Sequence, residues 1–103
     1  MFKLQPNPTH FVRVALTVVG ESAPGAIELE FKHLGLKARQ AFFKGLEGKT
    51  DAEALAEVIV GWKGVDAAFS PENLQALLDH YPLASVEIFN AWREQALEAR
   101  VKN

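Results

Sequence analysis

The sequence predicts an α+β fold in which an N-terminal β-hairpin packs on a C-terminal layer of about four helices. Two runs of alternating apolar residues precede Gly35, and the first is rich in β-branched side chains, which favours strands. After Gly35 the apolar residues recur at helical spacing. An isolated hairpin is marginally stable, so its apolar face needs the helices as a cover. At 103 residues the chain has the usual length of one domain, and we expect a single domain over 1–103.

The alternating runs predict strands over about residues 10–19 and 26–33. Successive side chains of a strand point to opposite faces, so each run separates its apolar residues from its polar ones. Between the runs, Gly20-Glu-Ser-Ala-Pro-Gly25 contains residues typical of turns. The two apolar sets are Val12, Val14, Leu16 and Val18, then Ile27, Leu29 and Phe31.

Helices are predicted at about residues 36–46, 51–62, 71–80 and 83–100. Thr50 and Glu53 have the spacing of a capping box. Ser70 followed by Pro71 is typical of an N-cap with proline at the first helical position. Apolar residues at i, i+3, i+4 and i+7 extend the second helix to residue 62 and support the third one. These residues are Leu55, Val58, Ile59 and Trp62, then Leu74, Leu77, Leu78 and Tyr81.

The sequence predicts no catalytic, cofactor or metal site. It has no cysteine, which excludes disulfides, thiolate zinc sites and a cysteine nucleophile. His10, His33 and His80 lack the i, i+3 or i+4 spacing of helical metal ligands, and the glycines form no phosphate-binding loop. Asp79 beside His80 leaves a small enzyme open as an alternative, although neighbouring helical residues point in different directions.

Charge and hydropathy limit the classes of partner. A net charge of -2 and a pI near 5.9 give no attraction to phosphate backbones, so nucleic acid is not expected. No apolar stretch reaches the roughly 20 residues that cross a bilayer, so no membrane partner is expected. The start of the sequence lacks the continuous apolar run of a signal peptide, and we expect an intracellular protein.

The helices carry more apolar residues than one buried stripe requires. Phe42 and Phe43 are adjacent, and Ile88 and Leu97 flank the central apolar arc of the last helix. Most apolar residues at helical spacing belong to a core, whereas exposed ones form a docking patch. Ile88 and Leu97 are therefore candidate partner-binding residues, with core packing as the alternative for both.

An ordered set of motifs resembles one protein family. The chain contains Phe2-Lys-Leu-Gln-Pro-Asn-Pro-Thr9, Phe11-Val-Arg-Val14, Phe31-Lys-His33 and Thr50-Asp-Ala-Glu-Ala-Leu55. The most specific part is Gly61-Trp-Lys-Gly-Val-Asp66, followed by Phe69-Ser70, Glu72-Asn-Leu74, Leu77-Leu78, Tyr81-Pro82 and Ile88-Phe89. Over nearly the whole chain, these residues resemble the tail assembly chaperones of long-tailed, lambda-like (siphovirus) bacteriophages and prophages.

The resemblance implies a non-enzymatic chaperone that binds the tape measure protein and assists assembly of the tail tube. It implies activity in the host cytoplasm, absence from the mature virion and self-association of the chain, weakly or on its client. In this family a longer product of ribosomal frameshifting often adds a domain that engages the tail tube protein. The alternatives are a small structural or adaptor protein of a phage particle and the enzyme based on Asp79 and His80.

Overall fold

The computed structural model describes the backbone of residues 1–102 and the side chains of residues 1–95. Within these residues it confirms the α+β class, with an antiparallel sheet of three strands and four helices. The elements in chain order are β1 (Thr9–Leu16), β2 (Gly25–Lys32), α1 (Leu36–Lys44), α2 (Asp51–Val58), β3 (Ile59–Lys63), α3 (Pro71–His80) and α4 (Ala84–Lys102).

The predicted hairpin is confirmed, with β1 antiparallel to β2 and Val12 opposite Leu29. Its first strand ends at Leu16, earlier than the predicted residue 19. Residue 17 leaves the ladder because the backbone N–H of Thr17 donates to both carboxylate oxygens of Glu87, at 3.0 and 3.2 Å. Gly20, with a φ of 90°, then provides a left-handed backbone conformation in the turn.

The prediction of a second helix reaching residue 62 was wrong. Helix α2 ends at Val58, and Ile59–Lys63 forms β3, which pairs antiparallel with β2. Ile59 and Val60 are β-branched and suit a strand. The i, i+3, i+4, i+7 pattern does not distinguish a helix from a strand here. In the strand, as in a helix, Ile59 is buried and Trp62 packs on the core. A bulge between Glu30 and Phe31 adjusts the register.

The helix starts follow from their caps. The hydroxyl of Thr50 accepts a hydrogen bond from the N–H of Glu53, and the Glu53 carboxylate accepts one from the N–H of Thr50, both at 3.1 Å. The hydroxyl of Ser70 accepts the N–H of Asn73 at 3.0 Å. Each cap satisfies donors that the first helical turn leaves free. Helices α3 and α4 lie close to their predicted bounds, and α1 ends at Lys44 instead of residue 46.

Helix α4 covers the inner face of β1 and the core. Phe31 and Trp92 stack with centroids 5.4 Å apart, and Phe42 meets Trp92 edge-on at 5.5 Å. Gln95 of α4 donates to the carbonyl of Phe11 at 3.1 Å. Side chains of α4 therefore bind backbone groups of Phe11, within β1, and of Thr17, just after it. The core cluster contains Val12, Val14, Leu16, Ile27, Leu29, Phe31, Phe42, Ala54, Leu55, Val58, Ile59, Leu74, Ala84, Ile88 and Trp92.

Candidate protein-binding groove

An open groove of about 360 Å³ lies between α4 and the chain that leads from the end of α1 into the first turns of α2. Gly45 ends α1, and the Thr50 cap starts α2, so the connection between them passes along α4. The lining residues are Phe43, Leu46, Lys49, Thr50, Asp51, Ala54, Ser85, Val86, Phe89, Asn90 and Arg93. We call this the α4 groove.

The surface of the α4 groove is largely apolar. Val86 is 59% exposed, Phe43 is 40% exposed, and Phe89 and Leu46 are half-buried. Ala54 is buried and forms part of the wall on the α2 side. Val86 and Phe89 lie three positions apart on one helix, which places them next to each other on the same face. Exposed apolar side chains gathered in a concavity are typical of sites that bind other proteins.

Aromatic packing holds one wall of the groove in place. Phe43 stacks on Trp92 with centroids 6.0 Å apart and contacts the Phe42 ring edge-on at 5.3 Å. Arg39 lies over both rings, with its guanidinium carbon 4.9 Å from the Trp92 centroid and 5.4 Å from that of Phe43. Such aromatic and cation–π contacts stabilise side-chain positions beyond simple burial. Phe43 is thus exposed on one face and anchored on the other.

The charged side chains of the groove differ in whether they have a partner of opposite charge. Lys49 forms a partly exposed ion pair with Glu57, and the Asn90 side-chain oxygen accepts a hydrogen bond from Arg93 at 2.7 Å. Beside the groove, hydrogen bonds from Thr50 to the carboxylate hold the pKa of Glu53 below its usual value. Arg93 has no carboxylate partner among the described residues.

Ile88 and Leu97 are the two residues that the sequence predicts to bind a partner, and the structure describes the side chain of Ile88 alone. Ile88 has no exposed surface and belongs to the core, as the alternative interpretation had it. Its neighbours Val86 and Phe89 turn toward the groove instead. Leu97 lies outside the residues whose side chains are described. Partner binding by either residue stays a prediction, and contact through Ile88 would require α4 to separate from the sheet.

The sequence patterns do not predict Val86, Leu46 or Phe89 as groove residues. A signal was present, because the apolar arc of the last helix is broader than one buried stripe. A helical wheel that split this arc would have separated Ile88 and Trp92, which are buried, from Val86, which is exposed. Phe43 was correctly noted as part of an apolar surplus.

A second concave region lies between β3, the loop that follows it, and α3. His80 lines a groove of about 230 Å³ together with Asp66 and Tyr81, and an adjoining groove of about 350 Å³ shares the latter two residues. Asp79 accepts a hydrogen bond from Gln75 at 2.8 Å. Over the part of the chain with described side chains, no cluster of three His, Cys, Asp or Glu residues could hold a metal.

None of the described helices is long and apolar enough to span a membrane. The groove described above, open and lined by helices, is the kind of surface into which another protein lays an apolar helix face. Comparison with protein families agrees with this class of protein, because a family model described as phage tail assembly chaperone matches residues 1–103. The chain therefore belongs to the phage tail assembly chaperone family, whose members are not enzymes. Comparisons with curated proteins and with solved structures found no match.

Proposed function

We propose that this tail assembly chaperone binds the tape measure protein through the α4 groove and keeps that client soluble until the tail tube assembles around it. It acts in the host cytoplasm and leaves before the virion is complete. The observation that carries the proposal is the cluster of exposed apolar side chains in the groove of a chain from this family. A client with apolar surface aggregates unless that surface is covered.

The groove suits reversible capture better than permanent assembly. Its apolar contacts supply binding free energy in proportion to the area buried, at about 25 cal/mol per Å² before the costs of association. The groove is open to solvent along its length, so a bound helix can leave without unfolding of the chaperone. Leu97 remains a proposed further contact, since its sequence spacing from Asn90 and Arg93 is that of one helix face.

The test is co-expression of the chain with its tape measure protein, followed by capture of the complex and measurement of the soluble client fraction. Val86→Asp introduces a charge into the groove, and Val19→Asp makes the same change at a site 74% exposed in the hairpin turn. We expect Val19→Asp to retain capture and Val86→Asp to lose most of it. Both positions are exposed, so we expect both variants to fold.

Three results would contradict binding of the tape measure protein in the α4 groove. Loss of capture in both variants would assign binding to general surface charge and not to the groove. Retained capture in both would place the client elsewhere on the chaperone. Failure of the unmodified chain to bind or solubilise the tape measure protein, together with its presence in purified particles, would favour a structural or adaptor protein of the particle.

A further inference from the structure

The chain is acidic overall, yet one end of the α4 groove is basic. Helix α1 carries Lys37, Arg39 and Lys44 and contains no acidic residue, although the net charge of the whole chain is -2. Arg39 lies over Trp92, the residue that precedes Arg93. Arg93 is the last residue of α4 among those that line the groove. Arg39 is not a lining residue, but its guanidinium lies over Phe43, which does line the groove, and over Trp92.

Among the residues whose side chains are described, no ion pair neutralises the positive charge at this end. The cation of Lys49 is matched by Glu57, but Arg39 contacts aromatic rings and Arg93 contacts the neutral Asn90. The acidic residue that lines the groove within the described part, Asp51, lies on the wall made by α2. Glu94, next to Arg93 in sequence, lines a different concavity beside β1.

The backbone of the groove walls restricts the conformation of what binds there. The walls are the helices α1, α2 and α4 and the capped connection between two of them, whose backbone groups are engaged in helical bonds and caps. An extended segment would find few ladder partners for its N–H and C=O groups. A helix satisfies its own backbone and presents only side chains.

We infer that the α4 groove selects an amphipathic helix whose apolar face is flanked at one end by acidic side chains, which meet Arg93 and Arg39. This inference rests on the proposed function and names the chemistry of the client segment. The apolar residues Phe43, Val86 and Phe89 provide affinity, and the two arginines set the direction in which the helix lies. Arginine suits this role because its planar donors bind carboxylates in two-pronged fashion.

The probes are two synthetic helical peptides of about 18 residues. This length exceeds the roughly 12–15 residues below which isolated helices are only marginally stable in water. They share one apolar face and differ only at one end, where one has glutamates and the other lysines. Exposed charge pairs contribute up to about five-fold each in affinity. We expect the acidic peptide to bind about ten-fold more tightly at low salt, with the difference shrinking as salt screens the charges.

The matched variants are Arg93→Glu and Lys32→Glu, which change the net charge of the chain equally. Lys32 is exposed on β2 and does not line the groove. Arg93→Glu should remove or reverse the preference for the acidic peptide, and Lys32→Glu should leave it in place. Equal binding of both peptides, or an equal effect of the two variants, would overturn the inference.

The outcomes also separate this inference from the proposed function. Capture of the tape measure protein without any peptide preference would refute the acidic-helix inference alone. A peptide preference that depends on Arg93, combined with no capture of the tape measure protein, would support the groove chemistry and refute the proposed client. Absence of both would refute the two together.

Discussion

Replacing Ile88 by alanine distinguishes a core residue from a docking residue. Ile88 has no exposed surface, so Ile88→Ala removes three buried carbon atoms from the centre of the fold. At about 0.8 kcal/mol per buried methylene, the transfer term alone is about 2.4 kcal/mol. A cavity adds to this, and about 3 kcal/mol lies within the range seen for such substitutions.

This loss of stability converts into a change in Tm. An unfolding entropy of about 2.1 cal/mol/K per residue over 103 residues gives about 0.22 kcal/mol/K. A loss of about 3 kcal/mol therefore lowers Tm by about 14 °C. Val86→Ala, two residues away on the same helix and 59% exposed, should change stability by no more than about 0.5 kcal/mol.

The assay is thermal and urea unfolding followed by circular dichroism, together with client capture at a temperature where each variant is folded. If Ile88→Ala is too unstable to purify, Ile88→Val should cost about 0.5–1.5 kcal/mol and serve instead. Ile88 is not a core residue if Ile88→Ala keeps the Tm of the unmodified chain but loses capture of the client. That result would place Ile88 on the binding surface.

Two further predictions concern the helix cap and a histidine. Thr50→Ala removes the hydroxyl that accepts the Glu53 N–H and should cost about 1 kcal/mol in urea unfolding, with Thr50→Ser retaining most of the stability. Burial first, and the charge of His33 second, lower the pKa of His10. Below the ordinary histidine pKa of about 6.5, the unfolded chain then binds more protons than the folded one. The free energy of unfolding should be highest above that pH and should fall as the pH drops toward the lowered pKa of His10. The substitution His10→Gln should flatten this dependence on pH. If the free energy of unfolding of His10→Gln varies with pH as steeply as that of the unmodified chain, other groups cause the effect.

The hairpin and the capped helix starts were predictable because they depend on local chemistry. Period-two alternation fixes which residues of a strand face the core, and Thr50 and Ser70 provide hydrogen bonds that only a helix start uses. These features involve residues close in sequence, so reading the chain locally was enough. The fold class followed from the need to cover the apolar face of the hairpin.

Strand β3 was missed because its cause is not local. Ile59 and Trp62 fit the helical spacing that begins at Leu55, and the β-branched residues alone do not end a helix. What decides the conformation is the free edge of β2, which offers ladder partners to this segment. Glycine suits position 61 of β3, opposite Glu30 of β2, because a Cβ at Gly61 would lie only 2.9 Å from a carboxylate oxygen of Glu30.

The groove was predictable only in part. An apolar surplus at Phe43 and along the last helix was visible, but the buried or exposed state of each residue depends on how α4 turns against the sheet. That rotation involves contacts between residues far apart in sequence. The Thr17 N–H donates to Glu87, 70 residues away, and Gln95 donates to the carbonyl of Phe11, 84 residues away. In this orientation Ile88 faces inward and Val86 outward.

Site-specific photo-crosslinking shows directly whether the client lies in the α4 groove. A photoreactive residue is introduced at Val86 or, as the matched control, at Val19, and each variant is co-expressed with the tape measure protein and irradiated. We expect a strong crosslink to the client from position 86 and little from position 19. Equal crosslinking from both positions, or crosslinking from position 19 alone, would contradict binding in the α4 groove.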